Sequence, residues 1–404
     1  MSWRRNVYVI ATTSFVGFTG FTLVMPFLPL YFHELGVEDV GEVALWSGLS
    51  LGVTPAMTAM LAPFWGRLAD RFGRKIMVER SLVSFIVIMA AMAFVTRPWH
   101  IFALRALQGF FAGYGALALT MAAESAPRDR TAYAIGIVQT AQRLGPALGP
   151  VIGGTVAGLA GLRNAFLITS CFYVVAVVLV FVMYDERSTR PAVEERPQGA
   201  ISFRSILAFE NFILLMGVVF ALQFVDRTFG PILPLYVAQL GTPVERVPMV
   251  AGILFSLGAA SAAVGNQVSW RLLKHVGPRG LIAASAATAA VGATIYLFAP
   301  GTPWLLGATP LLGIAMGAAT TGAYTAASSV MPPSARGAGF GLLSTASLIG
   351  LAMSPVVAGL LGATSIRAVF LLNVVALAIV AGTVSRLMVV APLVPARTPV
   401  PDEV

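Results

Sequence analysis

Long apolar stretches follow one another along almost the whole chain, separated by connectors too short to fold alone. Candidate spans run at about 7–32, 44–64, 76–96, 100–123, 131–158, 164–184, 208–237, 248–270, 281–299, 303–328, 337–362 and 366–390. A span needs about 20 apolar residues, so twelve of them take about 240 to 300 positions. The 404 residues then leave no room for a soluble domain. Only 11% of the residues are charged, against about 25% in soluble domains. Lipid tolerates no unpaired backbone polar groups, so the expectation is an all-α polytopic membrane protein with twelve transmembrane helices.

Basic residues concentrate in the even-numbered connectors: Arg67 to Lys75, Arg128 and Arg130, Arg187 to Arg204, Arg271 to Arg279, and Arg336. The odd-numbered ones are acidic or nearly neutral, as in Glu34, Glu38, Asp39 and Glu42. Cytoplasmic loops are the basic ones, which predicts both termini in the cytoplasm and a prokaryotic inner membrane as the setting. The net charge of +9 therefore addresses anionic lipid and implies no nucleic-acid partner. Cys171 is the one cysteine, so no intrachain disulfide forms. His33, His100 and His275 sit in three separate connectors and suggest no metal site. Met1 to Arg5 leads into the first span without a small-residue cleavage site, so that span is expected to stay. No nucleotide-binding fingerprint appears. Transport is expected to draw on an ion gradient, with no cofactor.

The chain repeats itself at an offset of 204 to 205 residues. Met25-Pro26-Phe27-Leu28-Pro29-Leu30-Tyr31 matches Gly230-Pro231-Ile232-Leu233-Pro234-Leu235-Tyr236. Leu35-Gly36 matches Leu240-Gly241, and Arg67-Leu68 with Gly73 matches Arg271-Leu272 with Gly277. Gly109 and Gly113 match Gly313 and Gly317; Pro127, Gly136, Gly145, Pro150 and Gly154 match Pro332, Gly341, Gly350, Pro355 and Gly359. The expected organisation is a six-helix half at 1–184, a cytoplasmic linker at 185–205, and a second half with a short tail at 206–404. The copies differ where coupling or specificity would reside. Asp70 becomes Lys274, Arg105 becomes Thr309, and Phe21-Thr22 becomes Asp226-Arg227.

Two stretches carry a family resemblance. Gly66-Arg67-Leu68-Ala69-Asp70-Arg71-Phe72-Gly73-Arg74-Lys75 resembles the loop between helices 2 and 3 of the major facilitator superfamily (MFS). Gly145-Pro146-Ala147-Leu148-Gly149-Pro150-Val151-Ile152-Gly153-Gly154, inside span 5, resembles the motif found there in MFS drug/proton antiporters. The resemblance implies two six-helix repeats around a substrate site near the bilayer midplane, opened alternately to either side. It also implies export by proton antiport of small lipophilic or amphipathic compounds, carried out by a monomer with substrate, protons and the bilayer as partners. A dedicated sugar or metabolite exporter, a lipid flippase and a non-transporting sensor stand as alternatives. In the family, the acid matching Asp70 holds the halves together at the cytoplasmic side. Carried over, Asp70 would bond the start of span 11, near Arg336 to Gly341, through the helix dipole. Gly66, Asp70, Arg71, Gly73, Arg74 and Glu124 are accordingly gating candidates, with Gly145, Gly149, Pro150, Gly153 and Gly154.

Charge inside the spans marks the coupling candidates. Arg105, with Gln108 and Gly109, resembles the family's span 4 pattern, whose arginine is proposed to influence proton transfer. A mid-membrane arginine costs about 2.5–3.5 kcal/mol on insertion scales; the alternative is that Arg105 snorkels to the interface. Arg143, near the middle of span 5, should face the cavity or a polar partner. Asp226, followed by Arg227, is the one acid near the centre of a span, and an intramembrane carboxylate is a proton carrier by default. Its alternative is a fixed ion pair with an arginine of another helix. Span 1 lacks the acid that many multidrug antiporters carry there, so the arginines outnumber the central acid. A cavity of that balance poorly suits a dication. Phe18, Thr22, Gln108, Gln139, Gln142, Gln223 and Phe224 are the candidates for its lining.

Overall fold

A computed structural model describes residues 2–127, 130–185, 207–332 and 336–389. Within them the chain is helical. The first half comprises α1 (Ser2–Leu23), α2 (Leu28–Glu34), α3 (Val40–Phe72), α4 (Arg74–Met92), α5 (Pro98–Phe111), α6 (Tyr114–Ser125), α7 (Thr131–Ala160) and α8 (Leu162–Met183). The second comprises α9 (Phe212–Gln239), α10 (Val247–Phe298), α11 (Thr302–Val330), α12 (Arg336–Thr364) and α13 (Ile366–Leu387). Span 1 is α1 plus α2, broken at residues 24–27 around Pro26, and span 4 is α5 plus α6, broken at Gly113 (φ +119°). Spans 8 and 9 run together as α10 and part at Gly277 (φ +66°, ψ 173°). The twelve spans of the sequence are therefore twelve transmembrane helices in two six-helix repeats.

Ten helical segments among the described residues are long and apolar enough to cross a membrane unaided. α4 and α7 are not among them. α4 begins with Arg74 and Lys75 and carries Glu79 and Arg80, while α7 is built largely of glycine and alanine around Arg143. Both cross as members of the bundle, their polar or small faces turned to neighbours.

The segment 66–75 is not a loop. α3 continues through it to Phe72, and the break is one residue, Gly73 (φ +92°). Trp65 and Ala69 keep an apolar stripe going on that extension and pack with Met77 of α4. The repeat does the same at residues 271–279, where helix continues until Gly277. Charge moved these residues out of the expected span, but charge at a helix end does not break a helix; a left-handed backbone position does, and glycine supplies it. Of the expected linker, only Asp185 is described; the remainder lies outside the described residues.

Matching contacts in the two halves express the sequence repeat. The Tyr31 hydroxyl donates to the Met92 carbonyl at 2.8 Å, and the Tyr236 hydroxyl to the Tyr296 carbonyl at 2.7 Å. Asn6 exchanges two hydrogen bonds with the Asp185 backbone, at 2.8 and 3.1 Å, and Asn211 exchanges two with the Val389 backbone, at 2.9 Å each. Lys75 donates to the Phe181 carbonyl at 3.2 Å, and Arg279 donates to the Ser385 carbonyl. Each pair lies 204 or 205 residues from its mate. These bonds tie the first span of a half to its third and its last, and its third to its last.

Candidate functional site

The halves meet along two seams near one end of the bundle. On the first, α3 packs on α12. A Cβ added at Gly48 would collide with the Pro355 carbonyl oxygen, one at Gly359 would lie 2.7 Å from the Ala44 carbonyl oxygen, and Gly52 fits beside Val356. On the second, α7 packs on α10. A Cβ at Gly252 would collide with the Pro150 carbonyl oxygen and one at Gly154 with that of Pro248. The Val151 N–H donates across this seam to the Ser256 hydroxyl at 3.1 Å. The seams are the same contact made twice, since Gly48 and Pro355 stand 204 and 205 residues from Gly252 and Pro150. Small residues allow the backbones this approach where a side chain would hold them apart. Toward the other end the same helices separate: Gly66, Gly136 and Gly341 have nothing within 4 Å of an added Cβ. The structure is thus closed at the end bearing Glu38, Gly161 and Glu245, and open at the end bearing Gly73 and Gly277.

The residues Gly145 to Gly154 divide between two jobs. Gly145, Gly149 and Gly153 recur every four positions, form one stripe of α7, and take α1 of their own half against Phe15, Thr19, Thr22 and Leu23. Pro150 and Gly154 face the other stripe and meet α10. The segment both stiffens its half and closes it on the other. Arg143 and Gln139 lie on the seam stripe of α7, about two and three turns beyond the contact, and both are exposed where the helices part. Arg143 lies within electrostatic range of the Tyr324 hydroxyl on α11, across the opening.

A cavity of roughly 490 Å³, part of it open to solvent, lies between the halves behind the seams. Phe21, Met25, Leu51, Thr54, Pro55 and Arg105 line it from one half, and Arg227, Gly230, Leu351 and Pro355 from the other. Arg105 does not snorkel. It is 2% exposed, its Nη1 donates to Gln108 Oε1 at 2.9 Å, and its Nε and Nη2 have no partner among the described residues. Gln108 Nε2 and the buried Tyr173 hydroxyl are also unpartnered. Thr54 fixes the α5 backbone there, donating to the Arg105 carbonyl at 2.9 Å.

Asp226 differs from its expected setting. Its side chain is 55% exposed, and its partner is the adjacent Arg227, with Nε 3.3 Å from Oδ2. Residues i and i+1 project about 100° apart, but an arginine is long enough to reach back. Its ion pair is therefore made within α9 and not with an arginine of another helix.

The candidates for the cavity lining are Phe18, Thr22, Gln108, Gln139, Gln142, Gln223 and Phe224. Among the lining residues none of the seven appears. Thr22 spends its hydroxyl on the Phe18 and Thr19 carbonyls. Phe18 packs on Tyr114, ring centres 5.5 Å apart, and Gln142 ties α7 to α6 through the Gly115 carbonyl at 3.0 Å. Gln223 and Phe224 lie against Gly350 of α12, and the Ser354 hydroxyl donates to the Phe224 carbonyl at 2.5 Å. Polar residues in a span serve helix packing as readily as a cavity, and type alone does not separate the two uses. Glu124 pairs with Arg74, which joins the end of α6 to the start of α4 within one half. Arg71 is exposed and stacks over Phe72, 5.4 Å from its ring centre. The side chains of Asp70 and of Arg336 to Ala338 lie outside the described residues, so their expected contact does too. Tyr173, Thr54 and Gly48 were missed; an offset of 204 residues linking Gly48 to Gly252 was the available signal for the last.

Comparison with known proteins identifies this architecture. A sequence model described as the Major Facilitator Superfamily matches residues 10–308 and 215–403. The chain belongs to the Major Facilitator Superfamily. It is a transporter by family and not an enzyme. The multidrug resistance protein MdtG of Citrobacter koseri is 33% identical over 319 residues, 79% of this chain and 78% of that protein. The multi-drug resistance efflux pump PmrA homologue of Lactococcus lactis is 30% identical over 362 residues, 88% of each chain. Among solved structures, a bacterial homologue of the human lysosomal transporter Spinster, in an inward-facing and occupied conformation, aligns with TM-score 0.78 at 16% identity. It covers 94% of this chain and 95% of that one. The nucleoside transporter NupG aligns with TM-score 0.68 at 14% identity, covering 93% and 98%. Both share the MFS fold.

Proposed function

We propose that this MFS protein is a proton-coupled exporter of small lipophilic and amphipathic compounds, working by alternating access as a monomer in a bacterial inner membrane. The observation that carries the reading is a cavity shared by two repeat-related halves, sealed at one end by paired glycine seams and lined by Arg227, the ion-pair partner of Asp226. Relatives named for multidrug resistance and efflux support export, as does the Gly145 to Gly154 segment. Basic residues cluster at the open end, so the positive-inside rule places that end and both termini in the cytoplasm. The conformation is then inward-open.

In this scheme Asp226 is the proton carrier. Ionised, it holds Arg227; protonated, it releases it, and the change in cavity charge biases the equilibrium between inward-open and outward-open states. The gradient supplies the energy and no cofactor is needed. The test is proton release on addition of substrate to purified protein in weak buffer, with Asp226→Asn as the comparison. The parent should release protons on binding, and Asp226→Asn should release none and lose pH-driven efflux in reconstituted vesicles. Efflux equal to that of the parent would defeat the assignment of Asp226.

A further inference from the structure

We propose that the cavity carries an anion subsite, formed by Arg105 of the first half and Arg227 of the second, which takes the carboxylate or sulfonate of an amphipathic compound whose apolar body rests on Phe21, Met25, Leu51 and Leu351. The inference deepens the export reading above and rests on it. Three observations converge. Arg105 and Arg227 line one cavity from opposite halves. Arg105 is 2% exposed, and two of its nitrogens, Nε and Nη2, have no acceptor among the described residues. The other unpartnered groups beside it, Gln108 Nε2 and the Tyr173 hydroxyl, are donors as well.

A buried guanidinium normally finds a carboxylate, because an unpaired charge out of water is costly. Among the described residues no carboxylate is shown paired with Arg105, and Asp226, beside the cavity-lining Arg227, is held by that arginine. A cluster in which unpartnered donors outnumber acceptors asks for a further acceptor, and an anion answers several of them at once. Phe21, Met25, Leu51 and Leu351 give the same cavity an apolar wall, so a small inorganic ion would leave most of it unfilled. Hence an amphipath fits and a free phosphate does not. The ion pair between Arg227 and Asp226 is long enough, at 3.3 Å and without hydrogen-bond geometry at Nε, to be exchanged for a better acceptor. An anionic cargo bridging the two arginines also links the two halves.

The test uses two fluorescent naphthalenes of nearly equal shape. 1-Anilinonaphthalene-8-sulfonate carries the anionic group, and N-phenyl-1-naphthylamine lacks it. Each is titrated into the full-length protein in nanodiscs, with empty nanodiscs subtracted. The parent should bind the sulfonate at least tenfold tighter than the neutral amine. Arg227→Gln should weaken the sulfonate at least tenfold and change the amine less than twofold. Asp226→Asn should tighten the sulfonate several-fold, the opposite sign, since it removes a competing carboxylate. Arg105→Lys, which keeps the charge where Arg105→Gln risks misfolding, should weaken the sulfonate by losing its fork of donors. Equal affinities of the parent for both probes, or equal losses of both in Arg227→Gln, would overturn the subsite. Failure of proton release would instead sink the coupling reading and leave these binding differences in place.

Discussion

Gly252 is the position at which the closed end can be weakened with least collateral change. An alanine there places its methyl against backbone: besides the Pro150 carbonyl oxygen, the new Cβ meets the Pro150 carbonyl carbon at 3.0 Å and the Val151 Cα at 3.1 Å. Those atoms belong to α7 and cannot swing aside like a side chain. Overpacking of this kind costs about 1–3 kcal/mol. The helix-propensity gain of alanine over glycine, about 0.5–1 kcal/mol, applies to both conformations and cancels. The ratio of closed to open at this end should therefore fall by about 5- to 150-fold. Spin labels on Glu38→Cys and Ser365→Cys, in a Cys171→Ala background, would report it by pulsed electron resonance. Both labelled residues are exposed and flank the other seam, α3 on α12. That choice matters. A local adjustment around Gly252 would leave their separation alone, whereas rigid rotation of one half against the other must open both seams. The expected result is a longer-distance population in Gly252→Ala and none in Gly217→Ala, where an added Cβ has nothing within 4 Å. An unchanged distribution in folded Gly252→Ala would refute the claim that these glycine seams set the conformational balance.

Further outcomes follow from the same geometry. Gly136→Leu and Gly341→Leu have room here, where nothing lies within 4 Å of an added Cβ, but should obstruct closure of the open end; efflux should fall at least tenfold with thermal stability unchanged. Tyr31→Phe and Tyr236→Phe each remove one buried hydroxyl-to-carbonyl bond, and each should cost about 0.5–1.5 kcal/mol in unfolding. Because the two lie in separate halves, the double variant should show the sum. Glu124→Gln removes the charge facing Arg74 at a site where both side chains are mostly covered, and should lower stability by about 1 kcal/mol.

Architecture was legible because its physical causes act on long stretches. Lipid demands helices about 20 residues long, and the repeat fixed its register through glycine and proline, whose backbone roles do not depend on neighbours. Gly36 and Gly241 share φ near +89° and +86°, and Gly73 and Gly277 both break helices. Helix ends were harder to read, since α3 runs on past its apolar stretch and charge gave no sign of the break at Gly73. The site was read in part. Arg105 and Arg227 announced themselves because a guanidinium in a span needs a reason. Phe18, Thr22 and Gln142 did not reveal that they pack within one half, because a threonine hydroxyl or a glutamine amide is satisfied by a nearby carbonyl as well as by a ligand. Tyr173 carried no signal at all; only its burial beside Arg105 marks it.

The distribution of bond types between and within the halves accounts for motion without loss of structure. Within each half, long-range ties are directional and polar: Asn6 and Asn211 bind the backbone just after the half's last helix, Lys75 and Arg279 cap that helix, and Tyr31 and Tyr236 cross the bundle. Breaking the buried tyrosine bonds leaves a polar group unpaired out of water, and the others add directional ties, so each half moves as a body. Across the seams the contact is glycine against carbonyl and methyl, with the hydrogen bond from Val151 to Ser256 added on one side. Such packing is worth little per atom pair and is lost without stranding a charge. Two conformations of a carrier must lie within a few kcal/mol for a proton or a cargo molecule to choose between them. A seam of ion pairs would have been too deep a well; a seam of small residues, copied once by the repeat, keeps the closed state real and still reversible.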